Sequence, residues 1–256
     1  MTIAAYQTIK VEFQESVCHL QIDRPEANNA INAQLIAECH EVLSVCEERS
    51  TIVVFSGSAE VFCFGADFNV IANAGNGSGL DGTAGPMYDL WLRMATGPYI
   101  TISHVRGQAN AGGVGFVAAS DIVLAAENAQ FSLSELLFGL YPACVMPFLI
   151  RRVGVQKAHY MTLMTQSISA RQAAEWGLVD AADAQSDLLL RRHLQRLRRL
   201  SKTAIRRYKS YLDRIAGPLQ NLRAAAVAGN TEVFTDAENL QGIARYVERG
   251  IFPWEK

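Results

Sequence analysis

Two short turns and one acid carry the residue types that acyl chemistry needs. Phe62-Cys63-Phe64-Gly65-Ala66-Asp67 reads as a strand turning tightly into a helix. Asn110-Ala111-Gly112-Gly113-Val114-Gly115 reads as a second turn that opens another helix. Glycine allows close approach of a ligand to the backbone, and the first N–H groups of a helix have no partner within it. Two sets of amides presented in this way suit an oxyanion hole. Each turn also has a plainer use, Asp67 as an N-cap and the paired glycines as a close helix-on-sheet contact. The acid is Glu135, in Leu133-Ser134-Glu135-Leu136-Leu137-Phe138. These apolar neighbours would desolvate its carboxyl and raise its pKa toward that of a general base. On the surface it would be an ordinary solvated carboxylate.

The elements that must position these groups alternate between strand and helix. Ile9 to Ile22 alternates apolar and polar residues with a break at Glu15-Ser16, the pattern of a hairpin. Ala33 to Glu48 has helical spacing through Leu35, Ile36, Cys39, Val42, Leu43 and Cys46. Thr51 to Phe55 reads as a buried strand, and the glycine-rich segment 72–85 as a mobile loop. Tyr99 to Val105 and Asp121 to Ala126 read as further strands, with Ala129-Gln130-Phe131 as another. Between them Gly113 to Ser120 reads as a close-packed helix. Beyond Pro142 the pattern is almost wholly helical, and Ser169-Ala170-Arg171-Gln172 has the form of a capping box, with the helix ending at Trp176-Gly177. Alternation of this kind favours α/β crossovers over a sandwich.

Half of the 256 residues are hydrophobic, enough for a sizeable core, and the net charge of −2 sets up no global field for nucleic acid or membrane. Five cysteines show no CxxC pair, and the five histidines form no ligand cluster, so no metal or redox cofactor is expected. The N-terminal residues lack the pattern of an export signal, no apolar run is long enough to span a bilayer, and a cytoplasmic protein with reduced thiols is the expectation.

Four ordered blocks resemble the crotonase (enoyl-CoA hydratase/isomerase) superfamily: DRPEANNAINAQLI, FGADF, VRGQANAGGVGFVAASDIVLAAENAQFSLSELLFGLYP and ISARQAAEWGLVD. The resemblance spans nearly the whole chain. It implies an α/β fold, a ββα-superhelix core over residues 1–190, with a helical region at 191–256 packed on that core or on a neighbouring subunit in trimers or hexamers. It implies that the N–H groups of Phe64 and Gly112 hold a thioester oxyanion and that Glu135 transfers the proton. It places Ala27, Ala66, Asp67, Phe68, Gly115 and Tyr141 around the substrate, with Cys144 nearby as packing. Typical hydratases carry a second glutamate where this chain has Gly115. Its loss removes a charge and is expected to leave room for a branched C3. SLSELLFGLYPACVMPFLIRR and the terminal GIFPWE further resemble stand-alone members of bacterial polyketide β-branching cassettes. That likeness implies dehydration of a 3-hydroxy-3-methylglutaryl (HMG) thioester on acyl carrier protein (ACP) or CoA. The sister decarboxylase, a single-glutamate isomerase and an RNA-binding relative are the alternatives.

Two further features carry weaker signals. Arg191, Arg192, Arg196, Arg198, Arg199, Lys202, Arg206, Arg207 and Lys209 form a run without an acid, read either as a solvated helix face or as a counterpart for an acidic, phosphorylated carrier. His104 and Arg106, beside the second turn, either meet a substrate carboxylate or satisfy local backbone.

Overall fold

A computed structural model of the chain describes residues 6–73 and 82–255. The expected hairpin is formed by β1 (Ile9–Gln14) and β2 (Val17–Ile22), turning at Glu15 with positive φ. Helix α1 (Ala33–Arg49) is capped by Asn32, whose Oδ1 accepts from Leu35 N at 2.8 Å, and buries the six residues that set its periodicity. Then follow β3 (Ile52–Ser56), β4 (Val61–Cys63), α2 (Phe68–Asn73) and α3 (Ala84–Thr96). The loop expected over 72–85 mostly lies outside the described residues. Its described ends close α2 and open α3.

The chain continues through β5 (Ile100–Val105), β6 (Gln108–Asn110), α4 (Gly112–Ala119), β7 (Ile122–Ala126), β8 (Gln130–Ser132) and a 3₁₀ turn at Glu135–Phe138. Helix α5 (Met146–Met164) is broken at Gly154, and β9 (Ile168–Ser169) leads into α6 (Ala170–Glu175). Ser169 Oγ caps α6 by accepting from Gln172 N at 3.2 Å. After β10 (Ala181–Asp183) come α7 (Ser186–Leu197), α8 (Lys202–Ala216), α9 (Arg223–Thr235) and α10 (Ala237–Arg249).

Six strands form one sheet in the order β1-β2-β3-β5-β7-β10, parallel except for the hairpin. Successive side chains of a strand point to opposite faces, so these strands feed two cores. Val53, Phe55, Val105 and Val123 join the main core with α1, α3, α4 and α5. Ile52, Val54, Ile102 and Leu124 face Leu190, Leu194 and Ile205 of α7 and α8. A smaller sheet, β4-β6-β8-β9, stands beside the first and carries the site. Among the described residues no helix is long and apolar enough to cross a membrane.

Candidate active site

Strands β4, β6 and β8 are parallel neighbours, with Cys63 beside Ala109 and Asn110 beside Ser132. Their carboxyl ends therefore lie side by side. Phe64 leaves the first, Gly112 follows the second, and Glu135 follows the third. The carboxyl edge of parallel strands is where open α/β sheets bind ligands. Ala111 N donates to Ser132 O at 2.9 Å, tying the second end to the third. The side chain of Asn110 reinforces this: its Nδ2 donates to Ser134 Oγ at 2.9 Å, and its Oδ1 accepts from Ser132 Oγ at 2.8 Å.

The two turns abut. Gly65 adopts φ +90, and a Cβ there would lie 2.7 Å from Ala111 Cβ and 3.2 Å from Gly112 N. Only glycine serves at such a position. Ile31 fixes the first turn, its N donating to Gly65 O at 2.7 Å and its O accepting from Asp67 N at 3.1 Å. Asp67 is the N-cap of α2, its Oδ1 accepting from Asn69 N and Val70 N, while its Oδ2 takes a 2.9 Å ion pair from Arg24 Nη2. Its role is thus to brace the turn. Neither the Phe64 N–H nor the Gly112 N–H donates to any group among the described residues.

Glu135 is buried, and its Oε2 has no hydrogen-bond partner. Burial pushes its carboxyl up to about 7, against a smaller pull from its own backbone N–H. A buried carboxyl at that pKa with one oxygen unpartnered is suited to accept and return a proton near neutrality.

A cavity of about 690 Å³ opens over these strand ends. Ala27, Phe64, Ala66, Asp67, Phe68, Gly112, Glu135 and Tyr141 all line it. Gly115 does not. A Cβ at Gly115 would stand 2.8 Å from Trp91 Cε2 and closer still to Cζ2 and Cη2. The space expected to be left by the missing glutamate is filled by the Trp91 indole, which does line the cavity and whose Nε1 has no partner. Trp91 stands edge-on to Phe116 and Phe148 and is fully buried.

The two weaker signals are decided by their surroundings. His104 is buried against α7, where its Nε2 meets Ser186 Oγ at 3.1 Å and burial pushes the imidazole down to about 4. Arg106 Nη2 donates to Gly57 O, and neither residue lines the cavity. The basic run is not one free face. Lys209 is buried, donating to Met94 O, Tyr99 O and Asp121 Oδ2, and Lys202 Nζ donates to Cys46 O and Ser50 O. None of the nine residues lines the cavity, although all seven arginines are exposed. Cys144 packs with its Sγ near Ala226 O, and burial holds its thiol up at about 12.

The fold and the strand-end site define the chain's class: it belongs to the enoyl-CoA hydratase/isomerase family, whose sequence profile matches residues 12–256. It is an enzyme of the hydratase-like type. The chain is 57% identical over 257 residues to bacillaene synthase dehydratase PksH of Bacillus subtilis, covering 100% of this chain and 99% of that protein. It is 35% identical over 188 residues to 2,3-dehydroadipyl-CoA hydratase of Escherichia coli, covering 72% of each. The crystal structure of the Bacillus subtilis polyketide biosynthesis enoyl-CoA hydratase (pksH) superposes with a TM-score of 0.92, covering 97% of this chain and 100% of that one.

Proposed function

We propose that this enzyme dehydrates 3-hydroxy-3-methylglutaryl-ACP to 3-methylglutaconyl-ACP in polyketide β-branching. The observation that carries this reading is a single desolvated carboxyl, Glu135, with its Oε2 unpartnered, in one cavity with two free backbone amides. Ionised Glu135 takes a proton from C2, and the electrons move into the thioester carbonyl. The N–H groups of Phe64 and Gly112 receive the resulting oxyanion. The enolate then re-forms its carbonyl as C2=C3 forms and the C3–O bond breaks. Glu135 returns its proton to the departing hydroxyl, water leaves, and the carboxylate is restored. The sequence balances with one carboxyl and without a redox or metal cofactor.

Trp91 in place of a second carboxyl supports elimination from a tertiary alcohol. A hydratase positions its water with two acids, whereas a tertiary C3–O bond leaves readily once an enolate forms. The 57% identity to a protein named as a bacillaene synthase dehydratase, whose crystal structure is described as a polyketide biosynthesis enoyl-CoA hydratase, supports dehydration and the polyketide setting. Assembly as trimers or pairs of trimers belongs to the same reading. The test is mass spectrometry of HMG-ACP incubated with the enzyme. The expected product has lost one water. Further loss of CO2 would assign the decarboxylase reaction instead, and an unchanged substrate would refute the reading.

A further inference from the structure

The substrate proposed above carries a carboxylate at its far end, yet no lysine or arginine is among the described residues lining the cavity. The ionisable side chains on its wall are acidic apart from Tyr141, Cys144 and Tyr246, and Asp67 is already paired with Arg24. Tyr141 is committed as well, its hydroxyl donating to Glu232. An anion entering this space must therefore be met by a neutral donor.

Asn230 fits that requirement. On α9 the buried positions are Ala226, Asn230 and Val233, so a primary amide interrupts an otherwise apolar helix face at helical spacing. Asn230 is 9% exposed, lines the cavity, and its side chain makes no hydrogen bond within the protein. Its amide atoms are not among the fully buried unpartnered ones, so they are open to the cavity, where a ligand can reach them. Its neighbours place it on the wall that follows Glu135 in the chain. The Ala226 carbonyl, one turn earlier, is 3.6 Å from Cys144 Sγ, and a Cβ on the adjoining Gly229 would lie 3.0 Å from Tyr141 Oη.

We propose that Asn230 is the specificity-determining residue for the acyl chain's terminal carboxylate, its Nδ2 donating to a carboxylate oxygen. The assignment rests on the HMG reading of the same site. A neutral donor is also the compatible choice for this chemistry. A cation close enough to hold the substrate carboxylate would favour the ionised form of Glu135 and lower its basicity.

The experiment separates recognition from turnover by using two inert five-carbon thioesters, glutaryl-pantetheine and pentanoyl-pantetheine. Neither has a 3-hydroxyl to lose, and they differ in the terminal carboxylate. Binding is measured by titration calorimetry on the wild type, Asn230→Leu and Asn230→Asp. The wild type is expected to favour glutaryl-pantetheine. Asn230→Leu should weaken glutaryl binding about 10- to 100-fold, the range for losing a hydrogen bond to a charged group, and leave pentanoyl binding within about threefold. Asn230→Asp should weaken glutaryl binding further at neutral pH. Asn230→Leu keeps a side chain of similar size and breaks no hydrogen bond within the protein, so it is expected to fold, which a thermal melt checks. Equal losses for both ligands in a folded Asn230→Leu, or a wild type indifferent to the carboxylate, would overturn the assignment. A glutaryl preference that vanishes in Asn230→Leu, in an enzyme that does not dehydrate HMG-ACP, would keep the assignment and refute the dehydratase reading.

Discussion

Gly115→Ala adds one methyl group where the structure has no room for it. The new Cβ would lie 2.8 Å from Trp91 Cε2, with Cζ2 and Cη2 nearer. Carbon atoms settle at about 3.5–4.0 Å, so the indole would have to retreat by roughly an ångström. It cannot do so freely, because Phe116 and Phe148 meet its ring at 5.9 Å and 6.0 Å between centroids. Nor can α4 yield, since every residue from Gly113 to Ala119 is buried. Overpacking of this kind costs about 1–3 kcal/mol. For a chain of this size that corresponds to a fall in Tm of roughly 2–12 °C. Calorimetric melts of Gly115→Ala measure it. A second variant identifies the cause. Trp91→Phe removes the ring atoms in conflict, so Gly115→Ala/Trp91→Phe should be less destabilised than the sum of the single variants, with a coupling on the order of 1 kcal/mol. Wild-type melting of Gly115→Ala, or strict additivity in the cycle, would refute the argument that Trp91 occupies this space. Gly115→Glu is accordingly expected to disturb the fold.

Glu135 must be ionised to take the C2 proton, so kcat/KM for dehydration should rise with pH and level off above about 7, as a pH–rate profile will show. The same raised pKa makes Glu135 stabilising only while protonated. Its contribution is complete below its usual value of 4.5 and is lost as pH rises through about 7, so Glu135→Gln should gain stability relative to wild type over that window in melts at several pH values. Asn110→Ala removes both side-chain bonds between β6 and the segment carrying Glu135. It should lower kcat about tenfold or more with a smaller change in KM, and equal kcat in steady-state assays would deny it a positioning role. Lys209→Met keeps the bulk of the side chain but removes the ammonium that bonds Asp121, Met94 O and Tyr99 O, leaving Asp121 and Met94 O with only their bonds from Thr101. A loss on the order of 3 kcal/mol in denaturant unfolding is expected, although Lys209 does not line the cavity.

Much of the large sheet was legible because its strands and α1 repeat a period over five or more residues, as Ala33 to Glu48 does. The site was legible differently, as unusual backbone: Gly65, Gly112 and Gly113 announce close approaches that only glycine permits. Of the strands that hold it, β4 and β8 were read through Phe62-Cys63 and Gln130-Phe131, but β6 was not: it has three residues, too few to display alternation, and Gln108–Asn110 reads as part of a glycine turn. Gly115 was misjudged because an absent side chain says nothing about what fills its place, and Trp91 arrives from a distant helix. Lys209 and Asn230 left a local signal. Lys209 falls four residues after buried Ile205, and Asn230 four after buried Ala226, so each interrupts an apolar, inward helix face with a polar group.

The central claim is that Glu135 alone moves the proton in an otherwise amide-lined site. Glu135→Gln keeps the shape of the side chain and removes the base. Its rate of HMG-ACP dehydration, followed by mass spectrometry beside wild type and with matching circular dichroism spectra, tests the claim most directly. A loss of about 10²–10⁴-fold is expected. A folded Glu135→Gln enzyme that dehydrates HMG-ACP at the wild-type rate would contradict it.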